Sequence, residues 1–191
     1  MGKTGVILAR FQPIHIGHLE LIEQACDECD NVFIFIGSAD KFNKRNPLPI
    51  NIRMQLTKEA VDGILAKYTT GAPTVNIIPL DDLTDENDNS HDWGFYLYTK
   101  IVTETKEPNF TIYYSDGFEI ITTWFPSFVL RNNISLKLMA RNATCHGISA
   151  TKVREMIVNE NYDELKKWVP DCVFNMRESI KNHIKLAYMI N

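Results

Sequence analysis

Long apolar runs are missing from this sequence. The N-terminal one, Gly5-Val6-Ile7-Leu8-Ala9, stops at Arg10, too short for a signal peptide or a bilayer span. No membrane partner is therefore expected. Blocks of Lys and Arg are missing too. The net charge is −4, with no basic patch to suggest a nucleic-acid surface, so any site for an anionic substrate has to be local. Cysteine is sparse: Cys26, Cys29, Cys145 and Cys172. With no export signal, these are expected as reduced thiols in the cytoplasm. Cys26-x-x-Cys29 closes an apolar-periodic helix and has no second such pair. A metal site needs more ligands than it supplies, so it is read as packing. Cys145-His146 is equally isolated and is read as loop. There is no internal repeat and no low-complexity tract.

What is there suits a globular α/β protein. The 191 residues, 45% hydrophobic and 23% charged, suffice for one domain over 1–191 with a sizeable core. Apolar runs at Gly5–Ala9, Asn31–Ile36, Thr74–Pro79, Phe110–Tyr114 and near Ser135–Ala140 read as strands. Helical patterns over 18–28, 51–68 and 92–104 alternate with them. A helix from Ser149, a short one over about 161–168, and a last one with Val173, Met176, Ile180, Ile184 and Ala187 on one face make a helical C-terminal portion, about 149–191. Continuous apolar strands alternating with helices predict a Rossmann-like parallel sheet with helices on both faces. The acidic stretch from Asp81 to Asp92 reads mostly as a solvated loop.

Directly after the first strand comes Arg10-Phe11-Gln12-Pro13-Ile14-His15-Ile16-Gly17-His18, and a helix follows at once. Ligands of open α/β sheets bind outside the carboxyl ends of strands. Pro13 stiffens the turn, and Gly17 lets backbone approach a ligand. The helix start offers free N–H groups and a dipole that favour an anion. His15 and His18 are spaced so that both can face the same phosphate. A second cluster, Ile148-Ser149-Ala150-Thr151-Lys152-Val153-Arg154, starts a helix with Ser149 as N-cap and sets hydroxyls and a guanidinium in its first turns.

These two stretches resemble the HxGH and ISSTxxR signatures of the HxGH nucleotidyltransferases, with Ala150 in place of a Ser. A closer resemblance, over nearly the whole chain, is to the archaeal-type nicotinamide mononucleotide adenylyltransferases and to the equivalent domain of bifunctional enzymes carrying a Nudix domain. That family's GRFQPxHxGH stands here as Ala9 to His18, with only the leading Gly changed. Its IGSA stands as Ile36-Gly37-Ser38-Ala39. Its basic residue before Asn/Asp-Pro is Arg45, its helix Arg is Arg53, and its Pro-x-x-Asp ends at Asp82. Its ring-stacking Trp aligns with Trp93, across a loop a few residues longer than the family's.

The resemblance implies an HxGH nucleotidyltransferase fold and transfer of AMP from ATP to nicotinamide mononucleotide, giving NAD and pyrophosphate. It implies His15, His18 and Arg154 at the ATP phosphates, with Ser149 and Thr151 beside Arg154. Arg10, Phe11, Gly17, Gly37, Ser38 and Arg45 would complete the nucleotide site, and Asp82 and Trp93 would take the nicotinamide end. Mg²⁺ would arrive with ATP, with no protein metal ligand, and the family's members suggest a homo-oligomer. The HxGH turn does not discriminate acceptors, so nicotinate mononucleotide, phosphopantetheine and FMN stay open as alternatives. So does a nucleotide-binding sensor without turnover, although both signatures keep their charged members. A tRNA synthetase fragment fits less well, since the chain is acidic and lacks room for an anticodon-binding domain.

Overall fold

The computed structural model describes residues 2–85, 87–139 and 147–190. Ala140 and the Cys145-His146 pair lie outside them. Five strands, β1 (Thr4–Ala9), β2 (Asn31–Ile36), β3 (Thr74–Pro79), β4 (Phe110–Ser115) and β5 (Ile134–Met139), form one sheet. Its order is β3-β2-β1-β4-β5 and every pairing is parallel. The central pair is in register with Gly5 opposite Thr111 and Ile7 opposite Tyr113. Strand order reverses between β1 and β4, so a crevice opens at their carboxyl ends.

Side chains alternate across the sheet, and each strand therefore feeds two cores. Ile7, Val32, Ile34, Ile36 and Tyr113 pack on one face. There they meet helices α1 (Ile16–Glu28), α2 (Ile50–Leu65), α5 (Ala150–Val158), α6 (Tyr162–Leu165), α7 (Asp171–Asn175) and α8 (Arg177–Ile190). Val6, Phe35, Phe110, Ile112 and Ile134 pack on the other face with α3 (His91–Thr105) and α4 (Ser127–Asn132). The whole C-terminal portion thus shares a core with the HxGH turn, and the Ile16 N–H donates to the Trp168 carbonyl at 3.0 Å.

Local signals set the element ends. Ser90 caps α3 by accepting from the Trp93 N–H, and Asp92 favours the positive end of that helix. Ser149 caps α5 by accepting from the Lys152 N–H at 3.3 Å. Two corrections concern elements. The last predicted helix is two, α7 and α8, broken at Met176. A 3₁₀ turn over Glu119–Thr123 and α4 fall between β4 and β5, where no element is expected from the sequence. Both are too short to show helical periodicity. Gly94 in α3 is demanded by packing: a Cβ there would stand 2.0 Å from the Trp124 carbonyl oxygen. Cys26 and Cys29 are buried, and the Cys29 thiol sits 3.3 Å from the Tyr113 hydroxyl. Burial, with Asp27 nearby, pushes the Cys26 thiol up to about 11, well away from a reactive thiolate. Among the described residues no helix is long and apolar enough to cross a membrane.

Candidate active site

A cavity of about 410 Å³ occupies the crevice between β1 and β4. Its floor is Leu8, Ala9 and Arg10 at the end of β1, Gly37 and Ser38 after β2, and His18 from α1. One wall is the loop after β3, which brings Asp82, Asp85, Asp88 and then Trp93. The other is the segment after β4, with Ser115, Asp116, Phe118 and Trp124. Arg45 reaches in from the loop after β2. Seven of the residues expected from the sequence therefore meet here: Arg10, His18, Gly37, Ser38, Arg45, Asp82 and Trp93.

The HxGH turn is held by its own backbone and by its neighbours. Gln12 accepts from the Leu48 N–H at 2.8 Å and donates back to the Leu48 carbonyl at 3.3 Å. His18 Nδ1 accepts from the His15 backbone N–H at 3.3 Å. In the neutral ring this puts the proton on His18 Nε2. The two imidazoles stack with centroids 3.8 Å apart, and Phe11 meets His18 edge-on at 4.8 Å. His18 is half-buried and lines the cavity, whereas His15 is 3% exposed and does not. Of the two histidines expected to face one phosphate, only His18 lines the cavity, because His15 is the N-cap of α1. Phe11 is likewise core, 2% exposed, at φ 47°. Gly17 is buried, and a Cβ on it would press on the His15 ring at 3.3 Å.

The second signature stands on the other side of this turn. Arg154 Nη1 donates to the Gln12 carbonyl at 2.8 Å, and Nη2 to the Thr151 hydroxyl at 3.3 Å. Burial pushes the Arg154 guanidinium below its ordinary value, while Tyr188 and Glu155 oppose this. Ser149, Thr151 and Arg154 do not line the cavity. The residues expected at the nucleotide phosphates therefore fall on two sides of the HxGH turn, joined through Gln12.

Ser38, at φ 51° and 3% exposed, donates to Asp82 Oδ1 at 3.1 Å, and the Asp82 N–H donates to Asp40 Oδ1 at 3.1 Å. Burial pushes the Asp40 carboxyl up, but Lys41 and the Asp82 N–H hold it below the usual carboxylate range. Arg45 donates to Asn87 across the cavity mouth. Trp93 and Trp124 meet edge to face, centroids 5.8 Å apart, and Trp124 Nε1 donates to Asn89 at 3.0 Å. Trp93 is 6% exposed, so it is a core residue and a cavity wall together. The acidic loop read as mostly solvated is so, with Asp81, Asp85 and Asp92 exposed, and part of it also faces the cavity. Asp82, Asp85 and Asp88 line the cavity, because Asx turns at Asp85 and Asp88 fold the loop onto α3. Sequence reasoning did not reach Asp116, Phe118 and Trp124. The signal for them was Ser115-Asp116-Gly117 at a strand end, which matters only once β4 is known to flank β1.

A parallel sheet with a His/Arg turn at its switch point, a second Arg helix beside it and a cavity over the strand ends defines a nucleotidyltransferase architecture. A family model described as cytidylyltransferase-like matches residues 6–156, and the chain belongs to that family. Within it, the chain is similar to the nicotinamide-nucleotide adenylyltransferases of two Thermococcus species. It is 30% identical to that of Thermococcus sibiricus over 179 residues, 93% of this chain and 84% of that one. It is 29% identical to that of Thermococcus onnurineus over 185 residues, 95% and 85%. The crystal structure of a bifunctional NMN adenylyltransferase/ADP ribose pyrophosphatase from Francisella tularensis, complexed with AMP and a manganese ion, shares the fold. Its TM-score is 0.67 at 21% identity, and this chain spans 52% of that protein's length.

Proposed function

We propose that the protein transfers the AMP moiety of ATP to nicotinamide mononucleotide, releasing pyrophosphate and forming NAD. The observation that carries this reading is the joining of both signatures at one turn: Arg154 bonds Gln12, and His18 from the same turn faces a cavity walled by Trp93 and Trp124. The two halves of a dinucleotide fit the two sides of that turn. The 5′-phosphate oxygen of the mononucleotide attacks the α-phosphorus, the bond to the bridging oxygen breaks, and pyrophosphate leaves in line. A phosphate oxyanion needs no general base, so positioning and charge stabilisation supply the catalysis.

His18 Nε2–H donates to the α-phosphate as negative charge grows there, and His15 holds the His18 ring by stacking and through its backbone N–H. Arg154, with Ser149 and Thr151, takes the β- and γ-phosphates; a guanidinium has five donors and two are engaged by protein here. Arg10 and Arg45 clamp phosphate, and Arg45 exchanges Asn87 for the mononucleotide phosphate. Trp93 and Trp124 bound the nicotinamide ring, where a carboxylate-rich wall suits a pyridinium cation. Among the described residues no group of three or more His, Cys, Asp or Glu is placed to hold a metal ion. Mg²⁺ would be carried on the ATP phosphates and would neutralise part of their charge. The test is incubation with ATP, Mg²⁺ and nicotinamide mononucleotide. NAD and pyrophosphate in equal amounts are expected; neither product with any mononucleotide overturns the reading.

A further inference from the structure

Arg53, in α2, is the first of the largest fully buried side chains, with 0% exposure. Such a cation ordinarily pairs with a carboxylate, because desolvating a charge is costly. Arg53 instead spends its donors on main-chain oxygens. Nε donates to the Leu48 carbonyl at 3.0 Å, Nη1 to those of Arg10 at 3.0 Å and Gly37 at 2.8 Å, and Nη2 to that of Ser38 at 2.9 Å. Among the described residues no carboxylate forms an ion pair with it. Burial and the like charge of Arg10 push it down to about 10, while Asp82 and Asp40 pull it up from a distance. It remains charged at neutral pH.

Three of the four carbonyls belong to the two strand ends in the cavity floor, and the fourth to the loop before α2. Arg10 follows β1, Gly37 and Ser38 follow β2, and Leu48 is the residue that Gln12 of the HxGH turn grips from the other side. Two residues in or beside this set, Phe11 and Ser38, have positive φ, 47° and 51°. Such conformations persist in non-glycine residues only where surrounding structure over-determines them. One planar guanidinium provides that constraint, in a geometry an ammonium cannot copy.

We propose that Arg53 is a positioning residue for the transfer: through four carbonyls it fixes Arg10 and Ser38 in the cavity floor, and its own positive charge, faced by Asp82 and Asp40 only from a distance, is balanced further by the phosphates of the bound substrate. This rests on the adenylyltransferase reading of the cavity. The residue touches no substrate; it acts through the strand ends and through its field.

The test uses the whole protein with Arg53→Lys and Arg53→Met, melting curves with and without inorganic pyrophosphate, and kinetics well below each melting temperature. Both variants are expected to melt lower. In Arg53→Lys, kcat is expected to fall about ten- to a hundredfold while fully folded, as displacement of catalytic groups by about 1 Å does. The rise in melting temperature given by pyrophosphate is expected to be smaller in Arg53→Met than in wild type. Wild-type kcat in folded Arg53→Lys overturns the positioning role, and an undiminished pyrophosphate shift in Arg53→Met overturns the electrostatic one. If Arg53→Met does not fold, reduced kcat in Arg53→Lys still decides the positioning role, and its pyrophosphate shift, equal to wild type if charge is what counts, decides the other. Pyrophosphate binding without dinucleotide synthesis by wild type would reject the adenylyltransferase reading while leaving the pyrophosphate arm intact.

Discussion

The two walls that meet at the cavity are built in opposite ways. The HxGH turn and the strand ends beside it are held by main-chain hydrogen bonds and a buried guanidinium, with Phe11, His15 and Ser38 almost wholly enclosed. The wall formed by the loop after β3 is held by side chains on exposed backbone. Asp85 caps the Asn87 N–H, Asp88 caps that of Ser90, and Asn89 braces Trp124. On the proposed function this contrast has a reason: phosphate transfer tolerates little displacement of charged donors, and the HxGH side is the over-determined one. On the same proposal, recognition of a flat ring needs area and a face, which two tryptophans would supply without such tight constraint.

This contrast is sharpest at His18. Replacing it by Ala should cut turnover by about two to three orders of magnitude, as loss of one transition-state donor does. The melting temperature should change little, since the His18 side chain is half-buried and lines the cavity. Turnover within a few-fold of wild type would take His18 out of the chemistry. On the opposite wall the largest effect should come through packing. Gly94→Ala drives a Cβ into the Trp124 carbonyl, and backbone has to move. A loss of about 1–3 kcal/mol is expected, together with weaker mononucleotide binding as Trp124 shifts. An unchanged melting curve would mean that α3 and the Trp124 segment part readily.

Trp93 tests whether the ring-binding wall also serves the core. Trp93→Ala should raise the mononucleotide KM by very roughly three- to thirtyfold, from about 0.5–2 kcal/mol of ring contact, and Trp93→Phe should restore most of it. The ATP KM should move far less. Because Trp93 is 6% exposed, some loss of melting temperature is expected as well. A fall in melting temperature with unchanged mononucleotide dependence would make Trp93 core alone.

The smallest effect lies far from both walls. Glu28 accepts from Lys137 at 2.6 Å on both oxygens and from Tyr113 at 2.9 Å. Lys137, against the cost of burial, holds its carboxyl down at about 2. A carboxyl lowered on folding stabilises above its unfolded value of about 4.3, and that stability is lost as the pH falls towards 2. Glu28→Gln should therefore flatten the acid limb of stability between about pH 5 and 2. At neutral pH it should cost no more than about 1 kcal/mol, since the group is partly exposed. An acid limb identical to wild type would remove Glu28 from the balance.

The sequence by itself determined what is local. Apolar runs marked all five strands, β2 and β3 to the residue, because a short β-branched apolar run bounded by turn residues is legible without its partners. Ser149 marked the start of α5, and Arg10 to His18 marked the phosphate turn, since turn, cap and helix start are contiguous in the chain. Only the tertiary structure decided what depends on strand order and on which side of a helix meets the sheet. Placing β4 beside β1 brought Asp116 and Trp124 to a cavity floored by Arg10. Packing α1 on the sheet buried His15 while leaving His18 at the cavity. The fold of α2 turned Arg53 inward onto four carbonyls, three of them on two distant strand ends, where no spacing in the sequence could have announced it. A carbonyl acceptor has no side-chain identity, so a residue recruited to bind backbone leaves no partner to find in the sequence.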